Sequence, residues 1–211
     1  MKNNLIGVGS LLASVIVGLS ADTASTLNTS ASCNCDSSFD SAFQKGNWEF
    51  GINSGVMFSP FIVNVQKHIV NYTTSGLQAG YMLSTPGISG WYRGNFELLG
   101  ELFGGAVIQG KGNYVADGTF WLRYNFVPSG WRIKPYAQFG IGGESTDIDR
   151  RILGQDFNFN LDASLGLRCM VTPRCSVNME WRYQHFSDSG MSKVNRGVNA
   201  HGAVLGVSWL F

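Results

Sequence analysis

The sequence predicts an all-β fold, an eight-stranded antiparallel transmembrane β-barrel behind an N-terminal signal peptide and a flexible lead-in. One observation is the strict alternation at the C-terminus, where every second side chain is apolar: Ala203, Leu205, Val207, Trp209 and Phe211. The other is composition, because 14% charged residues, 13% aromatic residues and 27 glycines are unusual for a soluble enzyme. Both features are typical of a barrel whose outer wall meets lipid.

The N-terminus has the features of an export signal. Lys2 is positively charged, residues 5–19 are apolar or small, and small residues suited to cleavage follow them. We therefore predict a signal peptide over residues 1–24. Residues 25–45 are rich in Ser, Thr and Asn and are expected to form a flexible periplasmic lead-in. The barrel domain is then predicted over residues 46–211.

Eight segments of period-two alternation predict the strands of this domain. The sixth has the clearest pattern, because apolar residues from Phe157 to Leu167 alternate with polar ones. Strands of about 9–11 residues suffice to cross a membrane when they are tilted. The predicted limits are 47–58, 76–84, 93–108, 118–127, 131–143, 157–171, 174–187 and 198–211.

The polar faces of the predicted strands carry charges of both signs. Five acids and five bases have this parity: Glu49, Glu97, Glu101, Asp162, Glu180, Arg123, Arg132, Lys134, Arg168 and Arg182. The interior of an eight-stranded barrel is just wide enough for side chains to fill it. Because an unpaired buried charge is very costly, the balance favours a filled interior over an open pore.

Two of the four cysteines flank the predicted turn between the sixth and seventh strands. Cys169 and Cys175 are symmetric about Thr172 and share the outward face. Opposed Cβ atoms in a hairpin lie about 4.5–5.5 Å apart, close to but above the usual disulfide spacing. A disulfide and two free thiols both remain open. Cys33 and Cys35 fall in the lead-in, and no ligand quartet converges, so no metal site is predicted.

Chemistry is concentrated at the end of the seventh strand and in the loop that follows it. His185 and Ser187 have the outward parity, and alternate residues of a strand lie on one face. The strand rises from a short turn, so this pair is expected near the external loops. Polar residues at membrane depth indicate function, and a Ser–His contact is possible here. The alternative is that Ser187 begins a loop and His185 is an interfacial residue.

The segment from His185 to Asn199 resembles the PagL family of outer-membrane lipid A deacylases. The family pattern is roughly His-x-Ser-Asn-Ala-Gly, followed by Asn-x-Gly-x-Glu at fixed spacing. The positions that match in register are His185, Ser187, Gly190, Asn195 and Gly197. The chain departs from the pattern at Asp188 and Ser189, which replace Asn and Ala. It also has Asn199 at the position of the family's acid.

The resemblance implies an eight-stranded outer-membrane barrel with a serine-hydrolase site on its outer wall. Ser187 is then expected to attack an acyl ester of lipid A, and His185 to move the proton. Asn199 is expected to orient His185, as Asn does in papain-like proteases. Asn195, with backbone N–H groups from Asp188 to Gly190, is expected to hold the oxyanion. The mechanism requires no metal or organic cofactor.

The expected partners are lipid A, or lipopolysaccharide, and the other lipids of the bacterial outer membrane. Cationic residues of the external loops are candidates for contacts to lipid A phosphates, with solvated loop charge as the alternative: Arg150, Arg151, Lys193 and Arg196. A net charge of +1 without a basic run gives no reason to expect nucleic acid. A homodimer through the aromatic wall stays open. The competing function is a non-catalytic structural or adhesion barrel, which Asp188 and Asn199 keep in consideration.

Overall fold

The computed structural model describes residues 38–59, 69–87 and 90–211. Eight antiparallel strands pair in chain order, and β1 pairs with β8 to close the barrel. The strands are β1 Trp48–Phe58, β2 Asn71–Met82, β3 Gly94–Gln109, β4 Tyr114–Phe126, β5 Ile133–Thr146, β6 Phe157–Thr172, β7 Cys175–Ser187 and β8 Val198–Leu210. The predicted eight-stranded all-β barrel is confirmed. The predicted signal peptide, the first part of the lead-in, Cys33 and Cys35 lie outside the described residues.

Alternation decides which side chains face inward. In β6 most of the buried positions are polar, including Asn160, Asp162 and Arg168, whereas Leu161 and Leu165 are exposed on the outer wall. Three strands extend by three or more residues beyond the predicted limits: β2 starts before residue 76, β4 starts before residue 118, and β5 continues past residue 143. In the described part of the chain, no helix is long and apolar enough to span a bilayer.

Residues 38–46 close the end of the barrel at which β1 begins and β8 ends, called here the terminal end. A 3₁₀-helix, Ser41–Phe43, buries the Phe43 ring, and the Arg168 guanidinium lies 5.4 Å from its centroid. The Asp40 carboxylate accepts bonds from Lys134 at 2.6 Å and from Arg93 at 2.9 Å. Residues 38–45 therefore differ from the flexible lead-in that was expected. Lys134 of β5 and Arg93, which precedes β3, hold the segment by ion pairs, and an apolar cluster packs around Phe43.

Ion pairs fill the middle of the barrel, as the polar parity predicted. The Arg168 guanidinium lies 2.6 Å from the Glu49 carboxylate, and Arg123 lies 3.3 Å from the same carboxylate. One level further from the terminal end, Arg182 is 2.6 Å from Glu180 and 3.0 Å from Glu101. These side chains are buried, so each charge is balanced inside the barrel wall.

The charge balance expected from the sequence fails at the opposite end, called here the loop end. Asp117, Glu144 and Asp162 are buried there, and neither carboxylate oxygen of Glu144 accepts a hydrogen bond within the described ranges. Arg132, expected inside, is exposed beside β5 with its guanidinium 5.0 Å from the Phe39 ring centroid. The interior therefore holds more acids than bases, and the surplus lies at the loop end.

An apolar cluster covers this acidic layer. The short helix α1, Arg150–Leu153, follows β5 and buries Ile152 and Leu153 among side chains from several strands. Phe186 of β7 and Val198 of β8 belong to the same cluster. Alternation in the sequence gave no sign of this helix, because it forms within a segment assigned to a loop.

The turn between β6 and β7 corrects the disulfide option. Both Cys169 and Cys175 are free thiols. A register shift between Met170 and Thr172 places Thr172 opposite Cys175, and Cys169 faces Val177. The two cysteines are thus diagonal rather than opposed, and diagonal neighbours lie about 7–8 Å apart, too far for a disulfide without backbone movement.

Candidate functional site

The outer face of β7 carries a short run of polar side chains at the loop end. Tyr183, His185 and Ser187 are half-buried and point outward, while Gln184 and Phe186 between them are buried inside. This orientation follows from the period of two in a strand. The imidazole and the hydroxyl therefore share the outer wall rather than the charged interior.

His185 is bound to the neighbouring strand. The register of β7 and β8 places Asn199 directly opposite His185, and its Oδ1 lies 2.7 Å from His185 Nδ1. An amide oxygen only accepts hydrogen bonds. The neutral imidazole in this contact therefore carries its hydrogen on Nδ1 and keeps a lone pair on Nε2, the form that a general base requires.

Tyr183 is a member of this group that the sequence interpretation missed. Its hydroxyl donates to the same Asn199 Oδ1, also at 2.7 Å. One amide oxygen thus accepts from two side chains that lie two residues apart on β7. The shared parity of Tyr183 and His185 was visible in the sequence, and it was the available signal for this contact.

Gly197 allows the chain to approach the imidazole closely. Its φ of +64° lies in the left-handed region, and an added Cβ would sit 3.0 Å from His185 Cε1 and 3.5 Å from Ser187 Cβ. A side chain at this position would crowd both groups. Both groups therefore face the same side of Gly197, although the Ser187 hydroxyl makes no hydrogen bond with a described residue, His185 included.

The turn after β7 is organised by Asp188. Its carboxylate accepts bonds from the backbone N–H of Gly190 at 2.9 Å and of Ser192 at 3.0 Å, and from the Ser192 hydroxyl. The Ser192 hydroxyl and these N–H groups lower the pKa of the Asp188 carboxyl. Ser189, with φ of 54°, and Gly190, with φ of 83°, take left-handed conformations that tighten the turn.

This turn changes the expected oxyanion donors. The Gly190 N–H was expected to face an oxyanion, but it is engaged by the Asp188 side chain. Asn195 is exposed further along the loop, and its side chain makes no hydrogen bond with a described residue. The next residue, Arg196, donates its backbone N–H to Ile152 O at 2.9 Å, which holds the loop against α1.

The candidate phosphate contacts lie on exposed loops at the same end of the barrel. Arg150 forms a two-bond pair with Asp156, with distances of 3.1 and 2.7 Å, so its charge is already balanced. Arg151, Lys193 and Arg196 are exposed. Among the described residues, no group of three or more His, Cys, Asp or Glu side chains could hold a metal ion.

A comparison with known families finds a match over more than half of the chain. A sequence model of the family described as "Lipid A 3-O-deacylase (PagL)" matches residues 88–208, which is more than half of the chain. The match contains His185, Ser187, Asn195 and Asn199. No curated protein matches the chain.

Solved structures resemble the barrel at low sequence identity. Neisserial surface protein A matches with a TM-score of 0.52 and 16% identity, over 78% of this chain and 99% of that one. The outer membrane enzyme PagL matches with a TM-score of 0.46 and 15% identity, over 75% and 97%. OprG from Pseudomonas aeruginosa gives 0.46 and 16%, over 80% and 98%. At this identity, the likeness to Neisserial surface protein A bears on the fold alone.

Proposed function

Because the chain belongs to the lipid A 3-O-deacylase (PagL) family of bacterial outer-membrane β-barrels, we propose that it hydrolyses an acyl ester of lipid A with a serine nucleophile. The protein resides in the outer membrane, and its lipid partner is lipid A or lipopolysaccharide. The observation that carries the proposal is the 2.7 Å contact between His185 Nδ1 and Asn199 Oδ1 on the outer wall. That contact leaves a lone pair on His185 Nε2, the atom that would accept the Ser187 proton.

In the proposed mechanism, Ser187 Oγ attacks the ester carbonyl carbon of lipid A. His185 Nε2 accepts the hydroxyl proton as the new C–O bond forms, and the carbonyl oxygen becomes the oxyanion. Collapse of this intermediate breaks the bond to the sugar oxygen, which receives the proton from His185. Water then attacks the acyl-serine with the same base, releasing the fatty acid and restoring Ser187.

Asn199 stands in this proposal where the family pattern has an acid. Its oxygen holds the Nδ1–H of His185 throughout the cycle. A neutral amide stabilises the imidazolium less than a carboxylate does, because charge-assisted hydrogen bonds are about twice as strong as neutral ones. We therefore expect slower turnover than in a relative that carries Glu at this position.

The loop after β7 supplies the remaining proposed contacts. Asn195 is the proposed side-chain donor to the oxyanion. Asp188 acts as the organiser of the loop, since its carboxylate holds Gly190 and Ser192. Arg151, Lys193 and Arg196 are the proposed contacts to lipid A phosphates. Arg150 is the weakest member of that predicted set because Asp156 pairs with it.

Mass spectrometry of lipid A tests the proposal. Purified protein in detergent micelles is incubated with lipid A, and wild type is compared with Ser187→Ala. Wild type should remove one acyl chain, and the variant should remove none. Ser75→Ala is the matched control, because Ser75 is an exposed outer-wall serine on β2, three strands away. Equal acyl loss from wild type and Ser187→Ala, or none from either, would contradict the proposal.

The second candidate is a non-catalytic outer-membrane barrel that keeps the scaffold. Two observations favour it: the acid of the family pattern is replaced by Asn199, and Ser187 makes no hydrogen bond to His185 within the described residues. The same lipid A experiment separates the two functions, because only an esterase would remove an acyl chain from lipid A in a Ser187-dependent way. The homodimer and the cleaved signal peptide over residues 1–24 stay predictions.

A further inference from the structure

The Asn199 amide can be oriented in two different ways, whereas a carboxylate at this position could not. The two oxygens of a carboxylate are equivalent, whereas an amide presents an acceptor on one side and a donor on the other. A half-turn of the Asn199 amide would direct Nδ2 at His185. The hydrogen of the neutral imidazole would then move to Nε2, and no lone pair would face Ser187. A serine esterase with Asn at this position needs something that fixes the amide.

Tyr183 has the geometry to do this. Its hydroxyl and His185 Nδ1 both lie 2.7 Å from Asn199 Oδ1. An amide oxygen has two lone pairs, so these two donors use its full capacity. With the amide reversed, the phenolic O–H would lose its acceptor. That loss is costly on a wall that faces lipid, where water does not replace a missing partner.

We propose that Tyr183 is a positioning residue that locks the Asn199 amide oxygen toward His185 and thereby selects the Nδ1–H tautomer of the imidazole. The role in turnover rests on the proposed esterase function, but the tautomer itself does not. Tyr183 touches neither the substrate nor the reacting atoms in this scheme. It acts through Asn199, and its removal should change the proton position on His185 without unfolding the barrel.

NMR of the imidazole nitrogens tests the proposal without any substrate. The protein is labelled with ¹⁵N-histidine in micelles, the His185 signals are assigned with His185→Gln, and spectra are recorded at a pH where the ring is neutral. Wild type should show predominantly the Nδ1–H form. Tyr183→Phe should raise the share of the Nε2–H form several-fold, as expected when one of two competing hydrogen-bond arrangements loses its bias. An unchanged tautomer ratio would overturn the proposal.

A double-mutant cycle supplies the second readout. Tyr183→Phe should lower kcat for lipid A deacylation about tenfold with little change in KM, since it affects the base and not ground-state binding. In an Asn199→Glu background, the same substitution should lower kcat less than about twofold, because a carboxylate has no wrong orientation. An equal factor in both backgrounds would indicate a structural role and overturn the proposal.

Tyr124→Phe is the matched control. Tyr124 lies on β4 and its hydroxyl donates to the Tyr92 backbone oxygen at 2.7 Å, so it loses a comparable bond far from His185. It should change neither the tautomer nor kcat. If wild type deacylates nothing, the proposed function fails, and the NMR result alone decides the role of Tyr183. Heat-dependent gel migration verifies that every variant is folded.

Discussion

The inward and outward side chains of β7 differ in how their polar groups are paired. Inward, Glu180 and Arg182 are buried and paired at 2.6 Å, and Arg182 also reaches across the barrel to another carboxylate. Outward, Tyr183 and His185 meet a single acceptor atom, and Ser187 makes no side-chain hydrogen bond with a described residue. The inward side chains are committed to holding the barrel, whereas the outward ones leave a hydroxyl available for chemistry.

This difference follows from what each face meets. Inside a narrow barrel an unpaired charge is costly, because the interior offers little water. On the outer wall the polar groups are few, and they persist by bonding to each other near the edge of the lipid. Substitutions on the two faces should therefore separate stability from activity.

The largest effect should come from His185→Gln. Loss of the general base should lower kcat/KM by about 10³-fold or more, while stability changes by less than about 0.5 kcal/mol. His201→Gln is the control, because His201 also faces outward, with its ring centroid 6.1 Å from that of Trp181. Rates of fatty acid release and unfolding by urea measure the two quantities. Substantial residual activity in His185→Gln would remove the imidazole from the mechanism.

On the inward face, Arg182→Met should destabilise the barrel. It leaves Glu101 and Glu180 without their cation, and removal of one partner from a buried pair costs about 3–5 kcal/mol. Urea unfolding followed by tryptophan fluorescence gives the change. Arg174→Met, which alters an exposed arginine in the β6–β7 turn, should be neutral. If both variants unfold alike, the inward face does not carry the stability assigned to it.

A gain of function should follow from Asn199→Glu. A carboxylate stabilises the imidazolium more than an amide does, so kcat should rise about tenfold, which corresponds to about 1.4 kcal/mol. Asn199→Ala should instead lower kcat, because His185 loses its acceptor. Initial rates of acyl release at a fixed lipid A concentration compare the three proteins. A decrease in Asn199→Glu would show that the amide is required as such.

The smallest effect should be a stabilisation by Glu144→Gln. This substitution removes one charge from the buried acids at the loop end, where Glu144 accepts no hydrogen bond from a described residue. The expected gain is about 1 kcal/mol, since an unpaired buried carboxylate opposes folding. Glu97→Gln is the contrast, because Glu97 lies 3.4 Å from Arg123 and its loss should destabilise. The urea unfolding midpoints of the two variants, measured at one pH, show whether each substitution stabilises or destabilises the barrel.

Alternation predicted most of the barrel because apolar side chains face lipid along most of each strand. It failed at the start of β2, where Thr73 and Ser75 face outward and Tyr72 and Thr74 face inward, so neither face is apolar. It also missed the end of β5, where consecutive glycines hide the pattern and Glu144 was assigned to a loop. The predicted charge balance of the interior was wrong for the same reason, because Glu144 was not counted among the inward-facing acids.

At the candidate site, parity predicted which side chains point outward, and the strand pairing brought Asn199 to His185. Parity cannot identify the atom that a side chain binds. The donation from Tyr183 and the engagement of the Gly190 N–H by Asp188 depend on rotamers and turn geometry, which the residue pattern does not encode. The disulfide alternative, which the sequence left open, is not formed because the hairpin turns at residues 173–174 rather than about Thr172, so that Cys169 faces Val177.

Asp40 precedes every strand in the chain, yet Arg93 adjoins the third strand and Lys134 lies on the fifth. Residues 38–46 therefore cannot form these ion pairs until strands that follow them in the chain have come together. We therefore expect residues 38–46 to dock only after β3 and β5 have come together, a step that a fluorescent label near residue 40 would report.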